Sequence, residues 1–185
     1  GPWGGFLTGT AILIEYAIAP AAIASAAKKV EAVYSYPYQH HVTMEPMNAT
    51  ARYTPERCEV WVPTQDGEAS CAALLAASGL PADKCDVYKI NLGGGFGRRG
   101  AFQDYVHQAV NIAKQMPGTP VKLIWSREED MLHGMYHPTT QCKLTGALDD
   151  AGNLTALHVR ISGQSILASV RPEGMQGGKD PVVFQ

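Results

Sequence analysis

The sequence predicts an α+β fold of mixed and antiparallel strands with two main helices, and three observations carry it. Short apolar runs alternate in the strand manner and stop at Pro or Gly, two stretches repeat apolar residues at helical spacing, and a glycine-rich loop joins one strand to one helix. The 185 residues are enough to bury a core without disulfides. With 15 Lys and Arg against 17 Asp and Glu, the net charge of −2 offers no basic field, so a nucleic-acid partner is excluded. The 4 cysteines form no C-x-x-C pair and have no clustered His, which points to reduced thiols rather than a zinc site or disulfide framework. That usage favours a reducing compartment.

Residues 3 to 27, WGGFLTGTAILIEYAIAPAAIASAA, predict a helix about as long as the roughly 20 apolar residues a bilayer requires. Glu15 is the only acidic or basic residue before Lys28. Near the centre of a membrane span it would cost about 2.5–3.5 kcal/mol, which counts against anchoring by residues 6–24. No basic region precedes the run, so a secretory signal does not fit. Pro20 is expected to kink or end the helix. The stretch GGFLTGTAILIEYAIAPAAIA resembles a helix of ethanolamine and amino-acid permeases. The compositional break near Ser25 predicts an apolar leader, 1–24, of different origin from a domain spanning 25–185. Packing into a core or a homo-oligomer interface, fusion to a foreign segment, and anchoring all stand open as its role.

Beyond Lys28 the punctuation is regular. VEAVYSY (Val30 to Tyr36) is a strand ended by Pro37, and Ala49 to Thr54 with Cys58 to Pro63 form a hairpin across Pro55-Glu56-Arg57. Asp66 is placed to cap a helix that runs to Ser78, and Gly79 to stop it. CDVYKINL is a strand, followed by the glycine loop, a helix from Ala101 to Met116 and a buried strand, Val121 to Ser126, which make one β-loop-α-β unit. SREEDML reads as a charged turn, and TQCKLTGALD with NLTALHVRISGQSI as a second hairpin across Asp150-Ala151-Gly152. Residues after Arg171 are loop-like.

The loop Gly93-Gly94-Gly95-Phe96-Gly97-Arg98-Arg99-Gly100 packs five glycines into eight residues and contains the dinucleotide pattern G-x-G-x-x-G. With Arg98 and Arg99 beside a helix N-terminus it reads as an anion cradle, against the alternative of a tight strand-to-helix turn. A nicotinamide-binding unit rests on this pattern alone, because a doubly wound fold needs repeated βαβ units that the chain does not display.

Four segments in order, HHVTMEPMN (His40 to Asn48), VWVPTQ (Val60 to Gln65), NLGGGFGRRG (Asn91 to Gly100) and WSREEDMLHGMYHP (Trp125 to Pro138), resemble the molybdenum-binding subunit of the xanthine oxidase and aldehyde oxidoreductase family. The likeness runs from about Ser25 to Gln185 and is nearest to β-subunits of the isoquinoline 1-oxidoreductase type. It implies part of a molybdopterin-binding domain. In the whole enzyme a molybdenum–pterin cofactor, in its cytosine dinucleotide form, would hydroxylate aldehydes or aromatic N-heterocycles with oxygen from water. Electrons would leave through an iron–sulfur subunit.

The resemblance places Gln65 beside the metal centre and sets Gly94, Gly95, Phe96, Gly97 and Arg98 in the loop that faces metal and pterin. It puts Glu45 and Tyr136 at the substrate pocket and implies no protein metal ligand. Gly100 and Tyr136 stand where purine-recognising members carry a glutamate and an arginine, so purines are disfavoured. The family's general-base glutamate and the second half of its cofactor cage lie beyond residue 185 in the family's order. No catalytic residue is therefore assigned, and the expectation is a fragment, inactive alone and without bound cofactor, from a bacterial protein of cytoplasm or periplasm. A folded, non-catalytic module that self-associates through residues 1–24 is the alternative. His40 and His41 are expected to point to opposite sides of an extended segment, and Trp61 and Trp125 to enter the core.

Overall fold

The computed structural model describes residues 11–17 and 20–182, with side-chain surroundings from residue 22 onward. The chain divides into two compact units, one of Gly1–Gln39 with His137–Gln185 and one of His40–Tyr136.

The second unit is built on the hairpin of β4 (Asn48–Tyr53) and β5 (Cys58–Pro63), in register with Thr50 opposite Trp61 and Tyr53 opposite Cys58. From β5 the chain crosses through α2 (Gly67–Ser78) to β6 (Cys85–Ile90), which pairs parallel to β5. It crosses again through α3 (Asp104–Ala113) to β7 (Val121–Ile124), which pairs antiparallel to β4. The order β6-β5-β4-β7 is thus a mixed sheet with two helical crossovers where one was expected. It lacks the all-parallel, doubly wound arrangement of dinucleotide-binding folds.

Both helices cover one sheet face. Ala49 and Ala51 of β4, with Cys58, Val60 and Val62 of β5, meet Ala73, Leu74 and Ala77 of α2 and Val106, Ala109, Val110 and Ala113 of α3. The many alanines at this contact let backbones approach closely, while fully buried Leu74, Val60, Val62, Val106 and Val110 each contribute about 1.5–3 kcal/mol of transfer energy. The expected caps of α2 form: Asp66 accepts from Ala69 N–H at 3.0 Å, and Gly79 sits left-handed at φ 75° with its N–H on Leu75 O. Lys114 Nζ donates to Ala77 O at 2.9 Å and satisfies another carbonyl at the same helix end.

Four local expectations are corrected here. The helix α3 starts at Asp104 rather than Ala101, because Phe96 to Gly100 is a run of turns and the Gln103 side chain is bonded back to Arg99 O and Gly100 O. The strand β7 is half-buried rather than buried, since it is a sheet edge. SREEDML forms α4 (Arg127–His133), started by Ser126, whose Oγ accepts from Glu129 N–H at 3.1 Å. Trp125 is core as expected, but Trp61 stacks on Tyr88 at 5.1 Å on the face away from the helices. It shares that face with Glu59, which is held by Arg52, Arg57 and Tyr88 Oη.

The first unit is an antiparallel sheet of order β1-β10-β9-β2, from β1 (Ala11–Ala17), β2 (Lys28–Tyr36), β9 (Thr140–Leu148) and β10 (Leu154–Gln164). The hairpin across Asp150-Ala151-Gly152 is present, with Asn153 N–H and Nδ2 donating to the Asp149 carboxylate. The helix expected over 3–27 is replaced at Ala11–Ala17 by a strand paired with β10 along its whole length, Ala11 opposite Gln164 and Ala17 opposite His158. The β-branched Ile12 and Ile14 suit an extended chain, and the partner strand supplies the backbone bonds a helix would have made for itself. Pro20 opens α1 (Pro20–Ser25) instead of breaking a helix, since the first helical position needs no N–H partner. The remainder of residues 3–27 before Ala11, and residues 18–19, lie outside the described residues.

After β10 comes α5 (Ile166–Val170), started by Ser165, whose Oγ also donates to Asp180 Oδ2 at 2.6 Å. The two short strands β3 (Gln39–His40) and β8 (Tyr136–His137) form a ribbon of their own. Among the described residues no helix is long and apolar enough to cross a membrane.

Candidate functional site

The glycine loop leaves β6 and turns back beneath the C-terminal end of β5, where Gln65 follows Pro63 and Thr64. Gln65 and the loop are joined by backbone and side chain: Gln65 N–H donates to Arg99 O at 3.0 Å, and Gln65 Oε1 accepts from Gly97 N–H at 3.0 Å and Arg99 N–H at 3.2 Å. A Cβ at position 95 would sit 2.4 Å from the Gln65 carboxamide carbon and oxygen, so a side chain there would have to displace that carboxamide. Gly94 and Gly97 adopt φ of 99° and 101°, and Phe96 is held at φ 53° with its ring 65% exposed. A bulky residue with positive φ is strained, and such strain gathers at functional loops.

Hydrogen bonding within the loop leaves a gap on one side. Gly93, Gly97, Arg98, Arg99 and Gly100 all donate their N–H to protein acceptors. The consecutive N–H groups of Gly94, Gly95 and Phe96 have no acceptor among the described residues. A row of unclaimed N–H groups beside an amide side chain is a place for an electronegative ligand atom.

The two arginines do not face that place. Both side chains are fully buried. Arg98 lies over the Trp125 ring at 5.6 Å and donates to Phe102 O and to both carboxylate oxygens of Asp104. Arg99 donates to Gly94 O, Pro63 O, Glu45 O and Pro46 O, and pairs with Glu45 Oε2 at 3.0 Å. Burial pushes the Arg99 guanidinium below its ordinary value, with the Glu45 charge opposing that shift. The positive charge that an anion cradle would offer is therefore matched internally by Asp104 and Glu45, and what the loop presents is backbone dipoles.

Glu45 reaches the loop from the other side, its N–H on Gly93 O at 3.1 Å and its Oε2 taking Gly93 N–H at 2.9 Å. The segment leading to it is clamped by Arg127, which donates to Thr43 O and to Met44 O at 3.2 Å and pairs with buried Asp130 at 2.5 Å. Within this run Arg127 and Asp130 thus form a clamp at the start of a helix, and Glu129 pairs with His133. Val42, before the clamp, is held at φ 39°, a strained value for a β-branched residue.

Of the residues singled out from sequence, Gln65, Glu45, Gly94, Gly95, Phe96, Gly97 and Arg98 come together around one loop. Tyr136 packs edge-on against the His40 ring at 5.4 Å instead. The His41 ring meets Met135 O through Nδ1 at 2.8 Å. Its Nε2 would lie 3.8 Å from a Cβ on Gly97. Sequence reasoning grouped Arg99 with Arg98 as an anion cradle and gave His41 and Arg127 no role at the site; all three lie inside quoted motifs, and their long-range carbonyl contacts leave no periodic signal. Among the described residues no group of three or more His, Cys, Asp or Glu is placed to hold a metal ion.

Comparison with known proteins gives the same order of motifs a family. Residues 10–166 match the family model described as the molybdopterin cofactor-binding domain. The chain is 30% identical over 139 residues to the isoquinoline 1-oxidoreductase subunit beta of Brevundimonas diminuta, covering 72% of this chain and 17% of that protein. It is 31% identical over 117 residues to a membrane-bound aldehyde dehydrogenase [pyrroloquinoline-quinone] of Gluconacetobacter polyoxogenes, covering 63% of this chain and 15% of that one. In fold it is similar to quinoline 2-oxidoreductase from Pseudomonas putida 86, with a TM-score of 0.55, 21% identity, and 78% of this chain and 19% of that chain covered. The chain thus spans less than a fifth of the length of these relatives.

Proposed function

Because the chain belongs to the molybdopterin cofactor-binding domain family, we propose that Gln65 and the loop Gly94 to Gly97 form one wall of a molybdenum–pterin site in a hydroxylase of aldehydes or aromatic N-heterocycles. The observation that carries the reading is the row of unclaimed N–H groups at Gly94, Gly95 and Phe96 beside the Gln65 carboxamide. These are neutral donors that stabilise negative charge without being oxidised themselves, and they suit an oxygen- and sulfur-rich anionic cofactor. When bound, the cofactor supplies the metal centre at which a substrate carbon is oxidised with oxygen from water.

This chain's own residues bind and orient. Gln65 donates from its amide nitrogen, the loop N–H groups donate beside it, and the exposed Phe96 ring offers an apolar surface to a flat substrate. Arg98 serves the cofactor indirectly in this reading, by fixing the far end of the loop to Asp104. Glu45 supports the loop through Gly93 and Arg99 in this reading, and Gly100 and Tyr136 argue against purines. In the whole enzyme the cofactor would be the cytosine dinucleotide form and an iron–sulfur subunit would receive the electrons, in keeping with a relative named as a subunit beta. Alone, the 185 residues supply one wall of the site in this reading and are expected not to turn over.

The test is to add molybdopterin, released anaerobically from a molybdenum hydroxylase, to the isotope-labelled chain and follow amide resonances. Shifts at residues 94–97 and at the Gln65 side chain are expected, together with no dye reduction in the presence of aldehyde or quinoline. Shifts confined elsewhere, or none, would overturn the assignment of the wall, and turnover by the chain would overturn the expectation that it is inactive alone.

A further inference from the structure

The proposed wall works only if the Gln65 carboxamide is turned the right way, and its surroundings decide which way that is. An amide nitrogen cannot accept hydrogen bonds, so the atom that takes the N–H groups of Gly97 and Arg99 has to be the oxygen, and the nitrogen faces outward. Arg99 is joined to Gln65 and the two residues before it in three ways. Its N–H binds the carboxamide oxygen, its carbonyl accepts Gln65 N–H and Thr64 Oγ1, and its guanidinium holds Pro63 O, two residues before Gln65, at 3.1 Å. The same guanidinium reaches Gly94 O at 2.9 Å, Glu45 O at 2.6 Å and Glu45 Oε2 at 3.0 Å.

We propose that Arg99 is the positioning residue of this site: by binding the end of β5, the glycine loop and the Glu45 segment at once, it fixes the Gln65 carboxamide with its nitrogen outward. The functional meaning of that orientation rests on the cofactor reading above, whereas the orientation itself does not. Arg99 touches no ligand in this account. It acts through Gln65, and it does so with a planar five-donor group that an ammonium cannot imitate.

Arg52 is the control, because its guanidinium is held by Glu59 in the β4–β5 hairpin and has no role at the loop. In the isotope-labelled full chain, Arg99→Lys is expected to move the Gln65 side-chain NH2 resonances toward those of an unrestrained glutamine. It should also speed exchange of the Gly97 amide by about tenfold or more, as loss of one hydrogen bond implies. Arg52→Lys should leave both readouts where they were. Equal Gln65 changes in the two variants, or none with Arg99→Lys, would overturn the proposal.

Should Arg99→Lys fail to fold, the unmodified chain decides. Slow Gly97 and Arg99 amide exchange with a single restrained Gln65 NH2 pair is expected, and exchange at free-peptide rates would overturn it. A chain that passes these tests but ignores added molybdopterin would refute the cofactor reading and leave the positioning role standing.

Discussion

Glu45 and Gly93 bind each other twice, Glu45 N–H to Gly93 O at 3.1 Å and Gly93 N–H to Glu45 Oε2 at 2.9 Å. A Cβ on Gly93 would lie 2.5 Å from that of Glu45. One short segment and the start of the glycine loop are thus held by one backbone bond and one bond to the Glu45 carboxylate, with no room for a side chain on Gly93. The same carboxylate faces Arg99, so its removal is felt on both partners.

Glu45→Ala should therefore destabilise the chain by about 1–3 kcal/mol, the range for a hydrogen bond to a charged group plus a buried cation left short of a partner. Glu45→Gln keeps an acceptor for Gly93 N–H and should recover about half of that loss. Urea unfolding of the two variants beside the parent chain measures the difference, and equal stability of all three would refute the double role.

At Gly95 the space is already filled by Gln65, because a Cβ would approach its carboxamide to 2.4 Å. Gly95→Ala is expected to cost about 1–3 kcal/mol of overpacking and to displace the carboxamide, weakening any response to molybdopterin. Gly118→Ala is the comparison. There φ is +84° and nothing lies within 4 Å, so a loss of about 1 kcal/mol without any change at Gln65 is expected. Melting curves and the Gln65 amide resonances separate the two effects.

The Cys58 thiol is pushed from its ordinary value of 9.0 up to about 11, chiefly by burial, with the neighbouring Cys85 adding to the effect. Above pH 9 the unfolded chain releases this proton while the folded chain still holds it. Stability from this group is whole below pH 9 and falls between about 9 and 11, by up to about 1.4 kcal/mol per pH unit. Cys58→Ala should flatten that part of the stability–pH profile even though it lowers stability overall. In the native chain at pH 8, alkylation should spare Cys58 relative to partly exposed Cys71, Cys85 and Cys142, which peptide mass mapping would reveal.

Much of the second unit was legible because its signals are local. Asp66 caps α2 and Gly79 ends it, since each acts on backbone groups within four residues. The hairpin of Asn48–Tyr53 with Cys58–Pro63 follows from a short turn between two apolar runs. Trp61 was misread because alternation says only that successive residues face opposite ways, and the neighbouring Tyr88 decides which face can hold an indole. The strand at Ala11–Ala17 was misread for a related reason: an apolar stretch with high Ala content suits helix or strand, and β10, more than 140 residues away in the chain, offers the edge that selects the strand.

For the candidate site, the sequence by itself determined the loop, its glycines, Gln65 and the family, because motif spacing is a property of the chain alone. Only the tertiary structure decided what the arginines do. Read locally, Arg98 and Arg99 are two positive charges beside a loop, free to meet an anion. Folded, they are buried and matched by Asp104 and Glu45, and their guanidinium groups reach carbonyls on Pro63, Gly94, Glu45, Pro46 and Phe102. A buried cation must find acceptors wherever the fold brings them, and those acceptors are backbone oxygens, which every residue carries and no sequence pattern can mark.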